Sequence, residues 1–121
     1  MKGTSVSQLK QTVEAYFEGF RQGDHAAILA LLTEDVAWDL PGFRHLVGKQ
    51  EFDGEIENEA FTGRPTLRLD RLVEEGATVI AIGDGAATQA DGVVHRFAFC
   101  DVFTFEDELI SRVESYLVPL G

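Results

Sequence analysis

Asp101 stands in a setting unusual for a carboxylate. In the stretch FAFCDVFTF it shares two-residue spacing with Phe97, Phe99, Phe103 and Phe105. Alternate residues of a β-strand face the same way, so one face of this stretch carries four phenylalanines and one acid. Burial among aromatic rings disfavours the charged form and raises a carboxyl pKa, which suits a proton donor or a base tuned toward neutrality. The plainer alternative is an aspartate satisfied by backbone amides or an arginine. A second acid comes into range if the loop EDEL closes a hairpin that pairs Phe105 with Ile110. Asp101 then lies opposite Glu114, Phe103 opposite Arg112 and Phe99 opposite Tyr116, with paired Cβ atoms roughly 5 Å apart on one face. Two carboxylates that close in an apolar pocket cannot both ionise easily. Arg112, a diagonal neighbour, would neutralise one of them, and the resulting cluster can polarise a water. A register shifted by one residue has the opposite outcome: Leu109, Ser111, Val113, Ser115 and Leu117 turn inward, and Arg112 and Glu114 become an ion pair on a solvated face.

The remaining chemistry-bearing residues point less sharply. Cys100 is the only cysteine. A nucleophilic thiol needs a base and an electropositive setting, whereas Cys100 adjoins an acid, so a buried structural thiol is expected. His25, His45 and His95 are scattered without metal-ligand spacing, so no metal and no cofactor is expected. His95 lies about 20 Å along the strand from Asp101, too far to act with it. His45 is expected in a loop over a pocket mouth. Phe20, Trp38, Phe43 and Phe61 are candidate apolar walls, and as walls they are equally consistent with plain core.

These residues need elements to position them. Ser5 followed by Gln8 reads as a capping box. Val6, Leu9, Val13, Tyr16, Phe17 and Phe20 then recur at three- and four-residue spacing, the stripe of an amphipathic helix. Gly23 suits the position after its end, and Asp24 caps a second helix, HAAILALLTE (25–34). VAWDL (36–40) alternates as a short strand, FRHLVG is a loop, and KQEFDGEIENEAF (49–61) reads as a third helix with Phe52, Ile56 and Ala60 inward. The period then changes to two through TLRLDRLV, TVIAIGDGAATQ, VVHRFAFCDVFTF and LISRVESYLV, joined by short turns, which reads as an antiparallel meander. The order α-α-β-α-β-β-β-β gives an α+β layer, helices on one face of a bent antiparallel sheet.

The chain has 121 residues, 45% of them hydrophobic and 26% charged, the mixture of one globular domain over 1–121. No stretch reaches the ~18 apolar residues that span a membrane, and the first residues lack the apolar core of a signal peptide. With one cysteine, a reducing cytoplasm is expected. Ten basic against 21 acidic residues leave a net charge of −11. That balance disfavours phosphate backbones and anionic membranes, so neither nucleic acid nor membrane is expected as a partner.

Three stretches, VEAYFEGFRQGDHAAILALLTEDVAWDLPG, then VGKQEF, then FCDVFTFEDELISRVESYL, resemble the SnoaL-like and ketosteroid-isomerase-like branch of the nuclear transport factor 2-like superfamily. The resemblance implies a cone: a strongly bent sheet wrapping a pocket closed by three helices, commonly a homodimer through the outer sheet face. It also implies that Tyr16 and Asp101 match the two donors that hold the substrate oxygen in the isomerases, a use of a neutral carboxyl well attested in that enzyme. The isomerases place their base directly before the proline of the motif resembling WDLP, and here that position is Leu40. Asp39 is one residue off, on the opposite face of the strand by simple alternation. The acid pair Asp101 and Glu114 loosely resembles the limonene-epoxide-hydrolase arrangement, although the arginine of that motif is missing from IGD (82–84).

Two kinds of function follow. One is cofactor-free acid–base chemistry, of isomerase, lyase, cyclase or epoxide-hydrolase type, on a small apolar molecule bearing a carbonyl or epoxide. Tyr16, Asp101 and Glu114 would be its catalytic residues. Phe20, Trp38, Leu40, Phe43, Phe61, Phe97, Phe99, Phe103, Arg112 and Tyr116 would line its substrate site. The other is a module that shelters an apolar ligand without turnover, a reading favoured by a leucine where the base should be.

Overall fold

The computed structural model describes residues 7–57 and 61–121, with Phe61 described by its backbone only. Helix α1 spans Gln8–Gln22. Its N-cap is Ser7, whose Oγ accepts from the Lys10 amide at 3.1 Å, whereas the expected cap Ser5 lies outside the described residues. Gly23 ends the helix with φ +63°, and its N–H returns to Phe20 O. That left-handed turn suits glycine. Asp24 caps α2, His25–Leu29, through the Ala27 amide at 3.1 Å. Helix α2 is shorter than its Ala/Leu-rich sequence suggests, because Leu32 is already in β1, Leu32–Leu40, and is fully buried there. Tertiary burial overrides helix propensity at that point.

Two further boundaries differ from expectation. The FRHLVG segment is not a loop throughout: Arg44–Val47 forms β2, a hairpin partner of β1 with Asp39 opposite His45 and Trp38 opposite Leu46. Helix α3, Lys49–Ile56, is shorter than 49–61. Phe61 already opens β3, and Ala60 lies outside the described residues.

Strands β3 (Phe61–Glu75), β4 (Thr78–Gln89), β5 (Val94–Glu106) and β6 (Leu109–Leu120) form the expected antiparallel meander. The six-stranded sheet runs β2-β1-β6-β5-β4-β3. One pairing corrects the all-antiparallel expectation: β1 lies parallel to β6, with Trp38 opposite Val113. The chain between them is long enough to return to the same end of the sheet, which a parallel neighbour requires.

The sheet curves without closing and wraps the helices. The β3–β4 ladder breaks register between Leu69 and Arg71, and such irregularities bend a strand. A Cβ on Gly83 would sit 2.0 Å from the Arg68 carbonyl oxygen and 2.8 Å from the Phe99 ring. Glycine is required there by close backbone approach, and its absent side chain also leaves room on the concave face. The core lies between that face and α1: Tyr16 meets Phe103 edge-on at 4.9 Å, Phe17 stacks on Phe99 at 5.3 Å, and Trp38 stacks on Phe52 at 4.5 Å.

Candidate functional site

The concave face and α1 enclose a cavity of about 420 Å³. Deep in it lie Tyr16, Trp38, Asp101 and Ser115; Phe17, Phe20, Leu40, Phe97, Phe99 and Leu117 form its apolar walls. Gly23, Glu57, Thr62, Arg64 and Thr88 surround its other end. The volume falls in the range of small-molecule sites, and a mostly apolar lining with a few convergent polar groups is the usual composition of such sites.

Each deep residue is placed by its element. Tyr16 is on the inner stripe of α1, and Asp101 points inward from β5 between Phe99 and Phe103, as the two-residue spacing predicts. Both are buried. Among the described residues no direct hydrogen bond joins them. Asp101 Oδ1 is buried without a hydrogen-bond partner among the described residues. Burial pushes the Asp101 carboxyl up to about 7, and the Ser115 hydroxyl draws it back down. An unpaired buried carboxylate is strongly disfavoured, so the group tends toward its proton. Burial first, and the nearby Asp101 charge second, hold the Tyr16 phenol well above its ordinary pKa. Tyr16 therefore remains a hydrogen-bond donor through the neutral range.

Ser115 is the deep residue that the preferred sequence register missed. Phe105 does pair with Ile110, but the ladder slips immediately: Thr104 pairs with Arg112 and Asp101 with Ser115. Ser111 is the extra residue, a bulge on β6, and its hydroxyl bonds the Thr104 carbonyl at 3.2 Å. One extra residue reverses the facing of everything beyond it. Val113, Ser115 and Leu117 turn inward, the outcome of the alternative register, although Ile110 rather than Leu109 is the buried residue at the start of the strand. Ser115 Oγ accepts from the Trp38 indole N–H at 3.0 Å, which leaves the serine's own proton for an acceptor such as Asp101.

The slip places Glu114, Arg112 and Tyr116 on the outer face, away from Asp101. Arg112 binds Asp39 there and lies 3.8 Å from Glu114. Asp39 also binds His45, so His45 belongs to the outer side of the β1–β2 hairpin and not to a loop over the cavity. Phe43 sits on the hairpin turn, 76% exposed, beside the same outer groove. Phe103 is fully buried behind Tyr16, as core. The side chain of Phe61 lies outside the described residues. Phe20, Trp38, Leu40, Phe97 and Phe99 do line the cavity. Among the described residues no group of three His, Cys, Asp or Glu side chains could hold a metal ion.

Sequence reasoning also missed the polar rim. His25 Nδ1 lies 2.6 Å from Asp53 Oδ1, and its Nε2 meets Glu57. Hydrogen bonds to Asp53 and then Glu57 raise the His25 pKa. Glu55 pairs with Arg44 at 2.7 Å. His25 and Asp53 are far apart in sequence, so no local spacing announces the rim.

A curved, unclosed sheet wrapped around N-terminal helices, with a cavity between them, is the nuclear transport factor 2-like fold. Residues 13–113 match the family profile described as a SnoaL-like domain, and the chain belongs to that family. Solved structures agree on the fold. A nuclear transport factor 2-like protein of unknown function from Burkholderia pseudomallei K96243 shares 22% identity over 93% of this chain and 92% of its own, with a TM-score of 0.83. A candidate polyketide cyclase from Xanthomonas campestris pv. campestris shares 28% identity over 90% and 89%, with a TM-score of 0.77. An epoxide hydrolase from M. tuberculosis, of the limonene-epoxide-hydrolase-like type, shares 20% identity over 92% and 83%, with a TM-score of 0.81. No curated protein sequence matches the chain. Among the described residues, no helix is long and apolar enough to cross a membrane.

Proposed function

We propose that the cavity binds a small, mostly apolar molecule bearing a carbonyl or epoxide oxygen, and that the protein performs cofactor-free acid–base chemistry on it. The observation that carries this reading is Asp101: a buried carboxyl on the cavity wall, with one oxygen unpartnered among the described residues and a pKa near 7. A group half-protonated at neutral pH both gives and takes a proton efficiently. Tyr16, which keeps its proton, donates to the substrate oxygen; Asp101 moves the proton; the Trp38–Ser115 pair holds the carboxyl in place. With Glu114 on the outer face, Asp101 is the single deep acid of this scheme. The candidate cyclase and the epoxide hydrolase among the structural neighbours carry names compatible with such chemistry, and their likeness supports the fold alone.

Double-bond isomerisation of the steroid type fits poorly, because it needs a base over the substrate face. Leu40 occupies that wall, and Asp39 is engaged by His45 and Arg112 on the other side. Leu40 equally favours the second reading, a binding module without turnover.

Proton exchange at the α-carbons of 2-tetralone, followed by NMR in D₂O, separates the two. Acid–base chemistry predicts exchange accelerated over buffer and abolished in Asp101→Asn, with a β,γ-unsaturated ketone isomerised only after Leu40→Asp. Saturable ketone binding without accelerated exchange in the wild type would leave the binding module as the function.

A further inference from the structure

We propose that Arg64 is a specificity residue that receives an anionic group, a carboxylate, at the far end of the ligand whose oxygen Tyr16 holds. The inference rests on the cavity being a ligand site, and it adds the ligand's second polar group and its spacing. The cavity is long, and it has two polar ends. Tyr16 marks the deep end and Gly23 the rim, and both lie on α1. Seven residues of helix separate them, about 10 Å of axial rise. Apolar walls fill the interval, among them Phe17, Phe20, Phe97 and Phe99. Arg64 reaches the rim from β3 and lies across Gly23, where a Cβ would stand 3.0 Å from its Nε. Glycine at that point lets the guanidinium lie close against the helix end.

The charges at the rim decide the sign of the ligand. Two carboxylates line the cavity there, and each already has a partner: Glu55 has Arg44, and Glu57 shares His25 with Asp53. Arg64 also lines the cavity, and among the described residues no hydrogen bond or ion pair engages it. Among the described residues the rim therefore offers a planar donor without a partner, which matches a carboxylate in two-point geometry. In a chain of net charge −11 such a local cation is the feature that lets an anion approach. A ligand with a carbonyl or phenol oxygen at one end, a flat apolar body and a carboxylate about 10 Å away satisfies both ends.

Rigid biphenyls provide probes of that length. Binding of 4′-hydroxybiphenyl-4-carboxylate, its carboxamide, 4-hydroxybiphenyl and the corresponding aminomethyl compound can be compared by quenching of Trp38 fluorescence, in low salt and in 0.5 M salt. We expect the carboxylate to bind the wild type about fivefold more tightly than the carboxamide, the scale of a partly exposed ion pair. That preference should vanish in Arg64→Gln, persist in part in Arg64→Lys, and shrink in high salt, while 4-hydroxybiphenyl, which has no group at that end, binds all three proteins alike. Equal affinity for carboxylate and carboxamide, a preference for the aminomethyl compound, or a carboxylate preference that survives Arg64→Gln would overturn the proposal while leaving the cavity reading intact. Failure of neutral 4-hydroxybiphenyl to bind would overturn both.

Discussion

Asp101 ties function to stability through a single proton. Its folded pKa of about 7 lies above the ordinary 3.8, so the folded state holds the proton where the unfolded chain has lost it. Stability from this group is fully present below pH 4 and falls as the pH rises toward 7. Beyond 7 the loss levels off at on the order of 4 kcal/mol for a shift of this size. Asp101→Asn removes the titration and keeps the shape. Chemical unfolding at pH 4, 6 and 8 should show the variant gaining on the wild type as pH rises, the reverse of the usual result of deleting an acid. Ser115→Ala should extend the decline to higher pH with the same onset, because the hydroxyl that favours the folded carboxylate is gone. Parallel stability profiles for wild type and Asp101→Asn would show that the carboxyl is not held near 7.

At the scale of elements, the β6 bulge decides which side chains meet the cavity. Deleting Ser111 removes the extra residue and leaves an unbroken ladder in which Arg112 still pairs with Thr104 and Ser115 with Asp101, so the facings beyond it are kept. The deletion loses the Ser111 bond to the Thr104 carbonyl, worth about 1 kcal/mol, so the variant should unfold at a denaturant concentration close to that of the wild type. A variant that fails to fold would mean that the bulge itself, through the bend it gives the strand, is needed as well as the facings beyond it. The bulge also shows where the sequence stops being legible. The periodicities of α1 and β5 and the boundaries of β4 are readable because burial repeats with the element's own period. The Phe105–Ile110 pairing is readable from the turn. The slip after it has no local signature, since both faces of β6 offer apolar residues, and only packing chooses between them. Strand β2 escapes notice for a related reason: four mostly exposed residues carry no alternation and owe their form to hydrogen bonds with β1. Tyr16 and Asp101 were legible as chemistry chiefly because a family resemblance added roles to their positions. Ser115 and the His25, Arg44 and Arg64 rim are tertiary facts that no spacing announces.

At the scale of the whole molecule, the outer sheet face carries exposed apolar side chains. Tyr116 and Val118 on β6 stand exposed there, and Cys100 and Ala98 face them across the ladder on β5. We propose that this face pairs two copies of the chain, which needs about 800 Å² from each partner for a stable contact. Sedimentation should give twice the 13.3 kDa of one chain, and Val118→Glu should return it to a monomer that still binds 4-hydroxybiphenyl. A wild type that sediments as a monomer at micromolar concentration would refute the pairing. The parallel contact between β1 and β6 has a consequence in time. About 70 residues separate Leu40 from Ile110, several seconds of synthesis at 5–20 residues per second. During that interval α1, α2 and β1 have left the ribosome, but the strand that seats β1 in the sheet does not yet exist. The emerging chain carries open edges on β1 and on β5 until β6 is inserted between them, and the wall that bears Ser115 is the last to arrive. The protein is therefore most prone to mispairing in the interval before β6 emerges, and a chain stalled short of Leu109 has its helices and part of a cavity wall but no strand to join β1 to β5.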